Sequence, residues 1–260
     1  MKGRFQTYFR QTSHSLFNCW LENSSQPTMA GLHDLRVLFK KLKFCQHFLF
    51  RIHGKSALGK LPDQLRHLFK QAGVVRELQL LNEWLVEEGI DLEKELQCNE
   101  SNIKNELNQL QRLLTEYQVQ VGKGIKKAEQ LANRTHPILS DQYWQELNSS
   151  LKKSLRKSRK KDWHEIRKQI KRWIYALNCL EELKAPSKSY VQSITQLEKN
   201  IGKWHECWMI RQHLEEKEPG DTDPLPFRTQ FAFAINRIEE QTEAAEKKTE
   251  RQLKKVLDLL

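Results

Sequence analysis

Glycine and proline are scarce in this chain, at ten and seven of 260 residues. Strands joined by tight turns call on those residues at most reversals, so the composition argues against a β-rich fold. Cysteine is scarce too. Cys19, Cys45, Cys98, Cys179 and Cys207 are odd in number, widely spaced, and form no C-x-x-C pair for zinc or redox work, so they read as reduced, mostly buried thiols. No apolar run approaches the roughly 18 residues of a membrane span. The opening segment, Met1 to Arg10, carries charges where a secretory leader has its apolar stretch. A cytoplasmic protein without membrane contact is the expectation.

Catalytic and metal signatures are also missing. None of the nine histidines has a glutamate three residues before it, which removes the di-iron bundle motif, and there is no H-E-x-x-H helix for zinc. Gly54-Lys55-Ser56 resembles the end of a phosphate-binding loop, but Leu49 stands where that motif needs its first glycine, and no strand pattern precedes it. The segment reads as an ordinary loop. Neither a cofactor, nor a metal, nor an enzymatic activity is expected.

What the sequence does have is helical periodicity over almost its whole length. Apolar residues recur at spacings of three and four, interrupted near residues 24 to 27, 54 to 62, 89 to 92, 134 to 140, 159 to 162, 184 to 187 and 218 to 226. An all-α chain of about eight helices follows. The firmest start is Asp162-Trp-His-Glu165, where an N-cap aspartate and a glutamate three residues on can satisfy orphan backbone donors. Pro186 and Ser187 end that helix and open the next.

Charge is the second asset, with 44 Lys and Arg against 33 Asp and Glu, a formal net charge of +11. Residues 28 to 55 hold six cations and one acid, and residues 151 to 173 hold eleven and two, so the excess lies in two windows. These windows echo each other. His33-Asp-Leu-Arg36 with Lys40 and Lys43 matches His164-Glu-Ile-Arg167 with Lys171, 131 residues later. About 40 residues after each comes a glycine inside a helical pattern, in Gly73-Val-Val-Arg76-Glu77 and Gly202-Lys-Trp-His205-Glu206. The expectation is a single domain of two helical repeats, approximately 1–133 and 138–260, as pseudo-symmetric four-helix bundles around a basic central groove or pore.

At 100° per residue, His33, Arg36, Lys40, Lys43, His47 and Arg51 fall within a stripe about 80° wide, with Lys41 off its edge. Leu35, Leu38, Phe39, Leu42, Cys45, Leu49, Phe50 and Ile52 take the opposite side, which is the core-facing one. In the second window Arg167, Lys168, Lys171 and Tyr175 lie within about 60° of His164, Arg172 flanks them, and Ile166, Ile170, Trp173, Leu177 and Leu180 face away. Aligned cations repel one another, and no carboxylate stands three or four residues away to neutralise the first stripe. A solvated face is the ordinary explanation of one such stripe. Two stripes at matched positions, histidines included, favour a bound polyanion.

Arg66, Lys70 and Arg76 on the third helix, and Lys152, Lys153, Arg156 and Lys157 on the fifth, can extend the surface, although the latter group spreads charge on every side. Phosphate suits these residues, because arginine donates in a bidentate fork, lysine supplies a mobile point charge, and a polymer adds many moderate contacts. His33 and His164 can either donate to phosphate or orient their neighbours. The rival reading is a nucleic-acid-binding protein, since Trp163, Trp173, Trp204 and Trp208 alternate with basic residues; tryptophans at helical spacing are more often core than stacking platforms. A third is a scaffold whose long mixed-charge helices, 92 to 133 and 224 to 258, take partners.

The four segments His33-x-x-Arg36-Val37-x-x-Lys40-Lys41-Leu42-Lys43, His164-x-x-Arg167-Lys168-x-x-Lys171-Arg172-x-x-Tyr175, and the two glycine segments, in that order, resemble the CHAD family, the conserved-histidine α-helical domain, over roughly residues 5 to 257. The resemblance implies two pseudo-symmetric four-helix bundles, a basic cavity that binds inorganic polyphosphate, and association with polyphosphate granules. It does not imply hydrolysis, for the E-x-E-x-K strand of the triphosphatase domain often fused to this family is absent. Lysine stands at 40, 41 and 43 where the family usually has arginine, Ile174 replaces a basic residue, Glu77 and Glu206 replace aspartate, and His205 replaces asparagine. On this basis the expected polyphosphate ligands are His33, Arg36, Lys40, Lys43, His164, Arg167, Lys168 and Lys171, flanked by Lys41, Lys70, Arg76, Arg156, Arg172 and Tyr175.

Overall fold

The computed structural model describes residues 3–135, 137–180, 186–217, 219–220 and 223–260. Eight α-helices account for nearly all of them: α1 (Arg4–Ser25), α2 (Met29–His53), α3 (Leu61–Glu87), α4 (Glu93–Asn133), α5 (Pro137–Arg156), α6 (Trp163–Cys179), α7 (Lys188–Glu215) and α8 (Leu225–Leu257). There is no strand among the described residues, and the all-α expectation with its eight helices holds. Three expected interruptions fall partly outside the described residues, at 136, at 184–185 and at 218, 221 and 222. No helix among the described residues is long and apolar enough to cross a membrane.

The helix ends follow from local chemistry. Thr28 caps α2 by accepting the Gly31 N–H at 3.0 Å, and Ser187 caps α7 by accepting from Tyr190. Gly31 is also a close-approach site. A Cβ there would lie 2.7 Å from Asn23 Oδ1 on α1, inside contact distance. Gly54, at φ +83°, ends α2 and leads into a 3-10 turn over Lys55–Leu58, as an ordinary loop should. Gly89, at φ +65°, closes α3 with the Ile90 N–H bonded to Leu85 O and the Gly89 N–H to Val86 O, a Schellman ending that only glycine enters without strain. Asp162 stands directly ahead of α6 as expected, but its carboxylate reaches back to the Arg159 N–H and Glu165 takes Lys168.

The chain divides into two compact units, each assembled from separate stretches. Unit 1 comprises Met1–Arg76, Ile103–Leu147 and Tyr175–Lys184; unit 2 comprises Glu77–Asn102, Asn148–Ile174 and Ala185–Leu260. In unit 1, α1 buries Phe5, Phe9, Thr12, Leu16 and Trp20 along one helical stripe. Trp20 donates its indole N–H to Leu114 O at 2.9 Å and packs edge-on to Phe39, so truncating it would cost about 3–5 kcal/mol. In unit 2, Leu81, Trp84, Leu85, Ile90 and Leu92 pack with Ile210, Leu214, Phe231, Ala234 and Ile238 from α7 and α8. Trp84 donates to Gln241 Oε1 at 2.9 Å, which satisfies its one polar atom.

Candidate functional site

The His33 to Lys43 stretch of α2 and the Gly73 turn of α3 fall in unit 1, and the His164 to Lys171 stretch of α6 and the Gly202 turn of α7 fall in unit 2. In unit 1, Arg36 and Lys40 on α2 meet the face of α3 that carries Phe69 and Gly73. The Arg36 guanidinium lies on the α3 backbone at Gly73, where a Cβ would stand 2.8 Å from its Nη1. Nη1 donates to Phe69 O at 3.2 Å, the guanidinium carbon sits 4.8 Å from the Phe69 ring centre, and Lys40 Nζ sits 5.9 Å from it. Arginine on an aromatic face is a cation–π contact.

In unit 2, His164, Arg167 and Lys171 on α6 meet Glu198, Gly202 and His205 on α7. A Cβ at Gly202 would stand 2.8 Å from Arg167 Nη2, 3.1 Å from its Cζ and 3.3 Å from its Nε, so the whole guanidinium plane rests on the bare helix there. Arg167 Nε donates to Glu198 Oε1 at 2.9 Å, and Lys171 Nζ lies 3.1 Å from the same oxygen. The reason for both helical glycines is thus the same. Each removes a Cβ so that an arginine can lie against peptide groups, and the next partner of that arginine sits four residues earlier, Phe69 in one unit and Glu198 in the other.

The histidines are placed differently. His33 is exposed, while His164 is half-buried with its ring stacked on His205, centroids 4.6 Å apart. Burial, reinforced by Lys168, holds His164 below its ordinary value, and burial together with His164, Arg167 and Lys168 pulls His205 down to about 4. Both rings are therefore neutral at pH 7, and Nδ1 of His164 is buried with no hydrogen-bond partner among the described residues. Lys168 is exposed and donates to Glu165 Oε1 at 2.7 Å, an i,i+3 pair on its own helix.

The first stripe is divided along its length. His33 and Lys43 are exposed, and Arg36, Lys40 and Lys41 are half-buried. Beyond them, His47 Nδ1 meets the Tyr143 hydroxyl at 3.0 Å and Arg51 forks onto Glu146 at 2.8 and 3.1 Å, both on α5. Phe44 and Phe48, which the helical wheel places beside the stripe, are buried against Tyr143, while Leu38, Phe50 and Ile52 are only half-buried. α5 thus supplies partners to the C-terminal part of that face while His47 and Arg51 stay exposed, which a wheel drawn on one helix has no means to show. On α6, Ile166, Ile170, Trp173 and Leu180 are buried as expected, and Leu177 is half-buried.

Of the flanking residues, Lys70 is exposed on α3 next to Phe69, Arg76 is half-buried three residues past Gly73, and Arg172 is half-buried on α6. Tyr175 belongs to unit 1, with its ring centroid 6.0 Å from that of Phe44. Arg156 is exposed at the end of α5, in an open depression of about 360 Å³ that it shares with Ser149, Lys152, Lys153 and Lys157. A larger depression, about 700 Å³, lies along α4 at Asn108, Gln111, Arg112, Thr115 and Glu116 and includes none of the expected ligands. Trp163, Trp173 and Trp204 are core residues, and Trp208 is 43% exposed. Among the described residues no three His, Cys, Asp or Glu side chains converge as metal ligands.

Phe69 and Glu198 are the site residues that the sequence alone did not bring forward. Their signal was present in the spacing, four residues before each helical glycine, but an isolated phenylalanine and glutamate carry no chemistry until a partner helix is set against them.

A family model described as CHAD domain matches residues 14–215. No curated protein matches the sequence at a significant level. Among solved structures, the CHAD domain from the plant Ricinus communis superposes with a TM-score of 0.71 at 16% identity, covering 96% of this chain and 90% of that one. PptA from Streptomyces chartreusis gives 0.64 at 8% identity, covering 96% and 98%. At such identities the likeness is one of fold.

Proposed function

Because the chain belongs to the CHAD domain family, we propose that it binds long-chain inorganic polyphosphate, without catalysis, through the basic faces of α2 and α6. The observation that carries this reading is the repeated arginine-on-glycine arrangement. Twice, in two units with different surroundings, an H-x-x-R-x-x-x-K face is set against a helix whose glycine lets the guanidinium lie flat. A fork fixed this way has little rotamer entropy left to lose on meeting an anion, which favours a planar or tetrahedral oxyanion over a diffuse counterion cloud. Lys40, Lys41 and Lys43 on α2, and Lys168 and Arg172 on α6, add charge along the path of a polymer. Affinity then comes largely from released counterions and falls steeply with salt. The protein acts in the cytosol or on polyphosphate granules.

The burial of Trp163, Trp173 and Trp204 supports phosphate over bases as the recognised group, since stacking needs accessible rings beside the cations. The test is competition. Protein bound to immobilised long-chain polyphosphate is challenged with single-stranded RNA, duplex DNA and tripolyphosphate at matched salt and phosphate concentration. Retention of the polymer against both nucleic acids is expected; displacement by either at equal phosphate reduces the site to a generic basic surface.

A further inference from the structure

The two copies of the site differ at a matched position on the glycine-bearing helix. At the position four residues before the helical glycine, unit 1 has Phe69 and unit 2 has Glu198. The Glu198 side chain is 14% exposed, and a single oxygen of it bridges Arg167 and Lys171, themselves only 24% and 26% exposed. This oxygen sits where an oxyanion of a ligand would sit: it takes the Nε donor of the guanidinium and the ammonium one turn further along the same helix. Phe69 offers Arg36 and Lys40 a ring face in that place.

We propose that Glu198 is a built-in competitor for the polyanion, a resident carboxylate that α6 must release before Arg167 and Lys171 engage phosphate. The inference rests on the polyphosphate reading above and names the residue that sets how strongly one of its two sites takes part. Displacement is feasible because the carboxylate is held by two charge-assisted contacts near the surface, whereas a polymer brings many phosphates and repeats its contacts along the face. The consequence is a threshold. Short anions that reach only one or two cations lose the exchange to Glu198, and long chains win it, so this carboxylate makes unit 2 selective for chain length.

Removing the carboxylate's charge tests the idea directly. Wild type, Glu198→Gln, Glu198→Ala and the reverse transplant Phe69→Glu are titrated with long-chain polyphosphate and with tripolyphosphate at several salt concentrations, and circular dichroism confirms that each variant keeps its helices. E198Q is expected to bind both ligands more tightly, by about fivefold for the polymer and more for tripolyphosphate, and to steepen the logarithmic salt dependence by about one unit. E198A is expected to move the same way, which covers the case in which the amide disturbs packing. F69E, which puts a carboxylate beside Arg36 and Lys40, is expected to weaken binding. Wild-type binding that E198Q and E198A leave unchanged or weaken overturns the competitor role while leaving the polyphosphate reading intact. If neither wild type nor any variant binds polyphosphate, both fall.

Discussion

Gly202→Ala is the sharpest probe of the arginine nest, because two effects of known sign oppose each other at one atom. In an open helix interior, alanine for glycine gains about 1 kcal/mol from the lower backbone entropy of the unfolded chain. At Gly202 the added methyl would lie within 2.8 to 3.3 Å of three guanidinium atoms of Arg167, so the plane as a whole must lift off. Lifting breaks the 2.9 Å bond from Nε to Glu198. A charge-assisted bond of this kind is worth about 2 kcal/mol, toward the lower part of its range because both groups retain some solvent contact. The balance is a net loss of about 1 kcal/mol, or about 2–4 °C in Tm for a chain of this size. In an Arg167→Ala background there is nothing to displace, and the same substitution should gain about 1 kcal/mol. Urea denaturation of the four proteins of this cycle measures the difference, an expected coupling of about 2 kcal/mol. At Gly73 only one terminal nitrogen of Arg36 lies too close, so the matching cycle should give less than half as much. Equal effects of G202A with and without Arg167 refute the reasoning.

Other consequences are as direct. Arg36→Ala and Arg167→Ala should each weaken polyphosphate binding about tenfold, the scale of one charge-assisted contact, with unchanged helix content; full-strength binding by the double variant in a filter or fluorescence titration removes both from the site. His205 is held neutral down to about pH 4, whereas in the unfolded chain it protonates near its ordinary 6.5. The unfolded state then binds more protons between those values, so stability is complete above pH 6.5 and declines as pH falls toward 4. His205→Asn should flatten that decline in thermal melts recorded across this range, and an unaltered profile assigns the acid sensitivity elsewhere. Gly89→Ala forces a side chain into a φ of +65° with no close neighbour to clash against, so it should lower stability by about 1 kcal/mol, read from the urea midpoint, and leave polymer binding as it is.

Much of the architecture was legible in one dimension, for identifiable reasons. Helix boundaries are encoded locally, by Thr28 and Ser187 at starts and by Gly54 and Gly89 at ends, and each acts through its own backbone or a bond to a residue three away. The histidine-led stripes could be drawn because a helix of fixed pitch turns sequence spacing into direction. The same drawing could not show the neighbours of the C-terminal half of α2, where Phe44 and Phe48 are buried against Tyr143 and Phe5 and the exposed His47 and Arg51 pair with Tyr143 and Glu146. A single-helix projection holds no term for what covers it.

The amino-acid sequence by itself determined the helical class, the eight segments and the duplicated motif, because all three depend on interactions spanning a few residues or on direct comparison of one half with the other. Only the tertiary structure decided that Gly73 and Gly202 make room for arginines, that Phe69 and Glu198 meet those arginines differently, and that His164 stacks on His205 while His33 stays in solvent. Those are contacts across 31 to 41 residues of chain. Their strength depends on distances of about 3 Å that no spacing rule conveys, since hydrogen bonds and ion pairs act between atoms brought together by packing.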